Sequence, residues 1–174
     1  MSEIAMQRAP RMTIINTETG ETFRPQFNPT EIEEQIAVNF ARQQVPGLSH
    51  EVMQFVNTGN RAFNFELFFQ LGSTTISSAG AVNAQGGFHH YVRSRLREFA
   101  YPRAASGLVN AGPPRALLVF PGFITVQAYL LDLSFKFQRF NVQNQPVAFT
   151  ASTQWEEVRD TMRLSDEIRG LKNE

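Results

Sequence analysis

From residue 61 onward the chain alternates apolar and polar side chains. Phe63, Phe65, Leu67, Phe69 and Leu71 fall on one side of an extended backbone, and Asn64, Glu66 and Gln70 fall on the other. Period two over this length is the signature of a half-buried β-strand. Phe68 interrupts the polar side. A phenylalanine there suits either a second subunit or packing under the helix that follows. Upstream, Val52–Val56 reads as a strand and Asn57-Thr58-Gly59-Asn60 has the composition of a hairpin turn.

The same alternation predicts strands elsewhere. Met12–Asn16 and Glu21–Phe27 flank a Thr17–Gly20 turn and make an opening hairpin. Ile36–Ala41, with Ile36, Val38 and Phe40 in phase, reads as an edge strand. Arg115–Val126 is a strand broken at Pro121-Gly122. Leu130–Phe140 places Leu131, Leu133, Phe135 and Phe137 opposite Asp132, Ser134, Lys136 and Gln138. After a turn at Asn141–Gln145, the positions Val147, Phe149, Ala151, Thr153 and Trp155 make the last strand.

Helical spacing occurs twice. Phe88, Tyr91, Val92, Leu96 and Phe99 form one stripe over Phe88–Tyr101, ended by Pro102. Glu156–Leu171 carries a thin stripe, fit for packing on a neighbour or for a solvated tail. Asn28-Pro29-Thr30 stops the strand before it, because proline removes a donor and pushes Asn28 out of the helical region. Thr30 and Glu33 have capping-box spacing, which predicts a short helical turn. Residues 72–87 and 104–114 read as loops. Residues 1–11 read as a flexible arm, 12–158 as the domain and 159–174 as a helical tail. Hairpin-linked strands with one inserted helix give an α+β, mainly antiparallel β chain, a barrel or sandwich with one flanking helix and a C-terminal helix.

Composition narrows the chemistry. The 174 residues fit one domain, and sixteen Phe against one Trp and three Tyr give a core of bulky apolar rings. Sixteen basic and sixteen acidic residues balance, so no nucleic-acid or anionic-membrane footprint is expected from net charge. The sign varies along the chain: net −3 over residues 1–60, +5 over 61–139 and −2 over 140–174. Opposite faces of opposite sign would serve assembly; scattered solvated charge is the plainer reading. There is no Cys, hence no thiolate chemistry and no disulfide. No secretory leader and no stretch of membrane-spanning length is visible.

Candidate catalytic groups do not converge. His89 and His90 are adjacent on a predicted helix and point about 100° apart, unlike ligands at i, i+4. His50 is the one further histidine. Glu33-Glu34 and Glu156-Glu157 read as solvated pairs rather than acid–base partners on one bond. No Gly-x-Ser-x-Gly and no Gly-x-x-x-x-Gly-Lys occurs. Arg93, Arg95 and Arg97 spread around their helix and read as helix surface or subunit salt bridges. No cofactor or metal is expected.

One ordered series of short motifs remains: Gln26-Phe27-Asn28-Pro29-Thr30-Glu31, Pro46-Gly47-Leu48-Ser49, Gln54-Phe55-Val56, Glu66-Leu67-Phe68-Phe69, Pro113-Pro114, Phe135-Lys136-Phe137 and Gln145-Pro146-Val147. Over residues 22–158 it resembles the tube-type proteins of contractile injection systems and contractile phage tails, in particular the tube domain of baseplate adaptors that carry a LysM module. Two departures stand out. Gln70 occupies a position where many relatives have aspartate, and the LysM module is not in this sequence, so its anchoring would be missing or supplied elsewhere.

The resemblance implies a tail-tube fold and a hexameric ring in which strands of neighbours close a larger barrel. It also implies a place in a phage tail or injection-system particle, after synthesis in the host cytoplasm. Its partners would be further copies, the tail tube protein, and the baseplate hub, spike and wedge proteins. Neither specific nucleic-acid recognition nor membrane insertion is implied; DNA would pass through the lumen of a phage tube. Phe27, Asn28, Pro29, Phe68, Arg93, Arg97 and Lys136 are the candidate interface residues. The competing readings are a monomeric β-barrel that holds an apolar ligand and, behind it, an enzyme on a β-barrel scaffold.

Overall fold

The computed structural model describes residues 10–44, 46–47, 49–70, 87–102, 112–142 and 144–159. These residues form seven strands: β1 (Thr13–Asn16), β2 (Thr22–Phe23), β3 (Ile32–Gln43), β4 (Val52–Gln70), β5 (Ala116–Phe120), β6 (Ile124–Phe140) and β7 (Pro146–Glu157). One helix, α1 (Gly87–Arg97), runs on into a 3₁₀ turn at Glu98–Ala100. All strands belong to one antiparallel sheet in the order β2-β1-β5-β6-β7-β4-β3. The α+β, mainly antiparallel β class expected from the pattern is the class observed. The sheet is not closed, since β2 and β3 are its two ends.

The period-two strands set the core directly. On the inner face, side chains of β4, β7 and β6 line up in transverse rows: Phe63–Trp155–Leu130, Phe65–Thr153–Leu133, Leu67–Ala151–Phe135 and Phe69–Phe149–Phe137. The outer face alternates with it: Asn64–Gln154–Asp132, Glu66–Ser152–Ser134, Phe68–Thr150–Lys136 and Gln70–Ala148–Gln138. Val92, Leu96 and Phe99 of the helical stretch are buried in the same core as the inner strand residues. Aromatic contacts tie distant strands together. Phe65 stacks with Trp155 and meets Phe120 of β5 edge-on at 5.6 Å, and Phe69 stacks on Phe149 at 5.0 Å. Such ring pairs add to the burial of their area.

The helix is fixed at its end by a polar network. Asn16, fully buried, accepts from the amides of Glu18 and Thr19 and donates to Glu98 at 2.6 Å. Arg95 binds Glu21 and Glu98. Gly20 closes the turn after β1 and Gly122 sits within the turn before β6, with φ of +72° and +77°, a conformation that favours glycine.

Several expectations are corrected. The predicted turn at Asn57–Asn60 is absent: β4 continues through it, because β3 is long enough to pair with it, Asn39 opposite Asn57 and Val38 opposite Thr58. The turn residues sit instead at register shifts. Gly59 is there because the strands close up: a Cβ would lie 3.3 Å from Ala37 O. The helical turn at Thr30–Glu33 is also absent, as Ile32 and Glu33 already pair with Phe65 and Asn64.

β6 starts at Ile124 rather than Leu130. Its inward positions are even up to Leu130 and odd from Leu133, and a bulge between Leu130 and Asp132 makes the change. Leu131 is thereby exposed, not part of the Leu133–Phe137 face. Glu156 and Glu157 close β7 instead of opening a helix, and 158–159 are not helical. The rest of the predicted tail helix, the N-terminal arm up to residue 9, and the loops at 72–86 and 103–111 lie outside the described residues.

Candidate functional site

Two features leave the core. The first is a free ribbon. β7 pairs with β4 only over Ala62–Gln70, so residues 52–61 of β4 and their partners on β3 continue as a pair with no third strand beside them among the described residues. Ile36, Val38 and Phe40 on β3 and Met53 and Phe55 on β4 are each about half exposed, and Phe40 meets Phe55 edge-on at 5.9 Å. Residues opposite one another in an antiparallel pair share a face. Ile32 opposite Phe65 and Glu34 opposite Phe63 mark the core side, and the apolar even positions of β3 continue it outward. The ribbon therefore prolongs the apolar inner face over a length where no described element covers it. An isolated two-stranded ribbon is marginally stable in water, and an exposed edge strand with apolar side chains invites pairing.

The ribbon is anchored where it leaves the sheet. Arg61 donates Nε and Nη2 to the two carboxylate oxygens of Glu157 at 2.9 and 2.8 Å, and Arg159 donates to the same group at 2.6 Å. Glu34 of β3 lies 3.5 Å from Arg61, and Asn60 donates to Glu156. Glu157, expected to be solvated, is 5% exposed. Burial alone would raise its pKa, but the hydrogen bonds from Arg61 and Arg159 outweigh it and hold the carboxyl below its ordinary value.

The second feature is the distribution of the predicted interface residues over two faces. Phe68 and Lys136 both stand opposite Thr150, in one row across the outer face. Phe27 packs on Phe68 with ring centroids 6.0 Å apart, so Phe68 does not lie under the helix. Asn28 uses its side chain inside the protomer, accepting from Met12 N at 2.9 Å and donating to Pro10 O at 3.0 Å. Pro29 follows it in the link to β3.

Arg93 and Arg97 lie on the other side of the sheet. The Arg93 guanidinium sits over Phe137 and Phe135 at 5.3 and 5.9 Å, and that of Arg97 over Phe135 at 6.0 Å. Helical spacing puts these two together and turns Arg95 towards Glu21, a split that reading the three as evenly spread missed. His89 is held below its ordinary pKa by burial and by the positive charges of Arg93 and His90. No group of three potential metal ligands occurs among the described residues.

Two clefts among the described residues are lined mostly by polar side chains. One, of about 470 Å³, lies on the outer face between Glu31, Glu33, Glu66 and Asp132. The other, of about 490 Å³, lies along α1. The inner face of the sheet is filled by its own rings.

A family model described as contractile injection system tube protein matches residues 9–164. No curated protein matches the chain.

Proposed function

The chain belongs to the contractile injection system tube proteins, and from that premise we propose that its copies join into a ring that connects the inner tube to the baseplate hub and spike and starts tube assembly. The ring is hexameric, as the sequence resemblance implies, and it works as a wall element rather than an enzyme. One observation carries the reading: the core face of the sheet runs out onto the β3–β4 ribbon, where Ile36, Val38, Phe40 and Phe55 stay exposed. A second copy provides the cover. Contacts of this heterologous kind close a ring when the rotation closes, and a ring also removes the free β3 edge.

The polar rows of the outer face suit a wetted channel wall, with Lys136 and the Phe27–Phe68 pair on it. The tail tube protein and the hub and wedge proteins are the further partners, and the particle is a phage tail or a related injection machine. The test is the double variant Phe40→Asp/Phe55→Asp, which keeps the protomer's circular dichroism and melting temperature but forms no rings in negative-stain images. Rings formed by that variant would remove the ribbon from the assembly.

A further inference from the structure

The cleft along α1 is lined by His90, Arg93, Ser94, Arg97, Glu98 and Tyr101. These residues recur at three- and four-residue intervals and so share one side of the helical stretch. The arginines of this stretch divide sharply. Arg95 is bound to Glu21 and Glu98. Arg93 and Arg97 have neither a hydrogen bond nor an ion pair among the described residues, and Arg93 Nε is buried without an acceptor.

Both arginines nonetheless have an aromatic seat, the Arg93 guanidinium carbon over Phe135 and Phe137 and that of Arg97 over Phe135. A cation–π contact of this kind holds a guanidinium near the ring without using its N–H groups as hydrogen-bond donors. The carboxylate in the cleft, Glu98, accepts from Asn16 and Arg95. It is already engaged outside the Arg93–Arg97 pair.

We infer that this cleft is a docking site for an acidic segment of a partner protein, with carboxylates one helical turn apart. Arg93 and Arg97 are separated by one turn, about 6 Å along the axis, which matches carboxylates at i and i+4 of a partner helix. Arginine presents a planar fork suited to carboxylates. His90, Ser94 and Tyr101 supply further polar contacts at the rim. The site belongs to the protomer and stands whether or not copies close into a ring.

The test uses the full chain and a fluorescein-labelled alanine-based peptide of about 20 residues, long enough to be helical, with Glu at every fourth position. Its controls are the same peptide with Gln and a labelled oligo(dT). Fluorescence anisotropy at low ionic strength is expected to show binding of the Glu peptide only. Arg97→Gln and Arg93→Gln should each weaken it about tenfold, the scale of a charge-assisted pair. Arg24→Gln, which removes an equal charge elsewhere, should not. Circular dichroism and thermal melts establish that each variant is folded, and Arg97, the more exposed of the pair, gives the cleaner readout. Absence of Glu-peptide binding, equal binding of the Gln peptide, or affinity unchanged in folded Arg97→Gln overturns the proposal. Binding of oligo(dT) in preference to the peptide does so as well, since it would assign the cleft to phosphates.

Discussion

The side-chain amide of Gln26 pairs with the backbone of Gln70 as a neighbouring strand would: Gln26 Nε2 donates to Gln70 O at 3.0 Å, and Gln70 N donates to Gln26 Oε1 at 2.8 Å. Its place in the sheet explains why. β3 pairs with β4 only as far as Phe65, so the rest of that edge of β4 has no strand beside it among the described residues. The end of β2 and the segment after it fill the gap, with Phe23 against Phe69 and Phe27 against Phe68. Side chains thus bridge the first end of the sheet to its other side where strands do not.

Gln26→Glu tests this seam. A carboxylate keeps the acceptor and loses the donor, so it opposes the carbonyl of Gln70. A loss of about 1–2 kcal/mol in urea unfolding at neutral pH is expected. The loss should shrink once the pH falls below about 4, where the carboxyl gains a proton and can donate again. A pH-independent loss would mean that the donor is not used.

Much of the core is legible in the sequence. The rows through Phe63, Phe65, Leu67 and Phe69, and those through Phe149, Ala151, Thr153 and Trp155, follow from period two because each of these strands has one dry face. The turn at Asn57–Asn60 was misread because local composition and long-range pairing disagree there, and pairing with β3 prevails. The burial of Glu157 was hidden because its partner Arg61 lies 96 residues away. The aromatic seat of Arg93 was hidden likewise, since α1 and β6 meet only in the fold. The bulge in β6 did leave a trace: apolar residues occupy even positions up to Leu130 and odd ones afterwards.

That bulge gives a test with two adjacent leucines. Leu130 points into the core and Leu131 is 54% exposed. Leu130→Ala should cost about 2–4 kcal/mol through the cavity it leaves, and Leu131→Ala no more than about 0.5 kcal/mol. Denaturant unfolding of the two variants decides it, and equal losses would place the bulge elsewhere.

The clamp on Glu157 makes stability depend on acidity. Its carboxyl is held below its ordinary value in the folded chain, with Arg61 and Arg159 bound to it and Glu34 beyond Arg61. The stabilisation is therefore full above the unfolded-state value of about 4.3 and is lost as pH falls through the lower folded value. Glu157→Gln should cost about 3 kcal/mol at pH 7, the scale of a buried pair deprived of one partner. It should also flatten the acid limb of the stability curve, measured by thermal melts from pH 7 to pH 3. An unchanged acid limb would show that other carboxylates govern it.

Phe68→Asp probes the outer face separately from the ribbon. Phe68 is 40% exposed and touches Phe27, so the protomer should keep its fold at a cost of about 1 kcal/mol. If this face meets a neighbour, ring formation fails in negative-stain images. Rings of normal size from Phe68→Asp would confine assembly to the ribbon.

Native mass spectrometry of the full chain, alone and mixed with the tube and hub proteins of its particle, tests ring formation most directly. A closed species of six times the 19.7 kDa protomer is expected, and it should disappear in Phe40→Asp/Phe55→Asp. A protomer that stays at 19.7 kDa at micromolar concentration, both alone and beside those partners, would contradict a ring built from the exposed face of the β3–β4 ribbon.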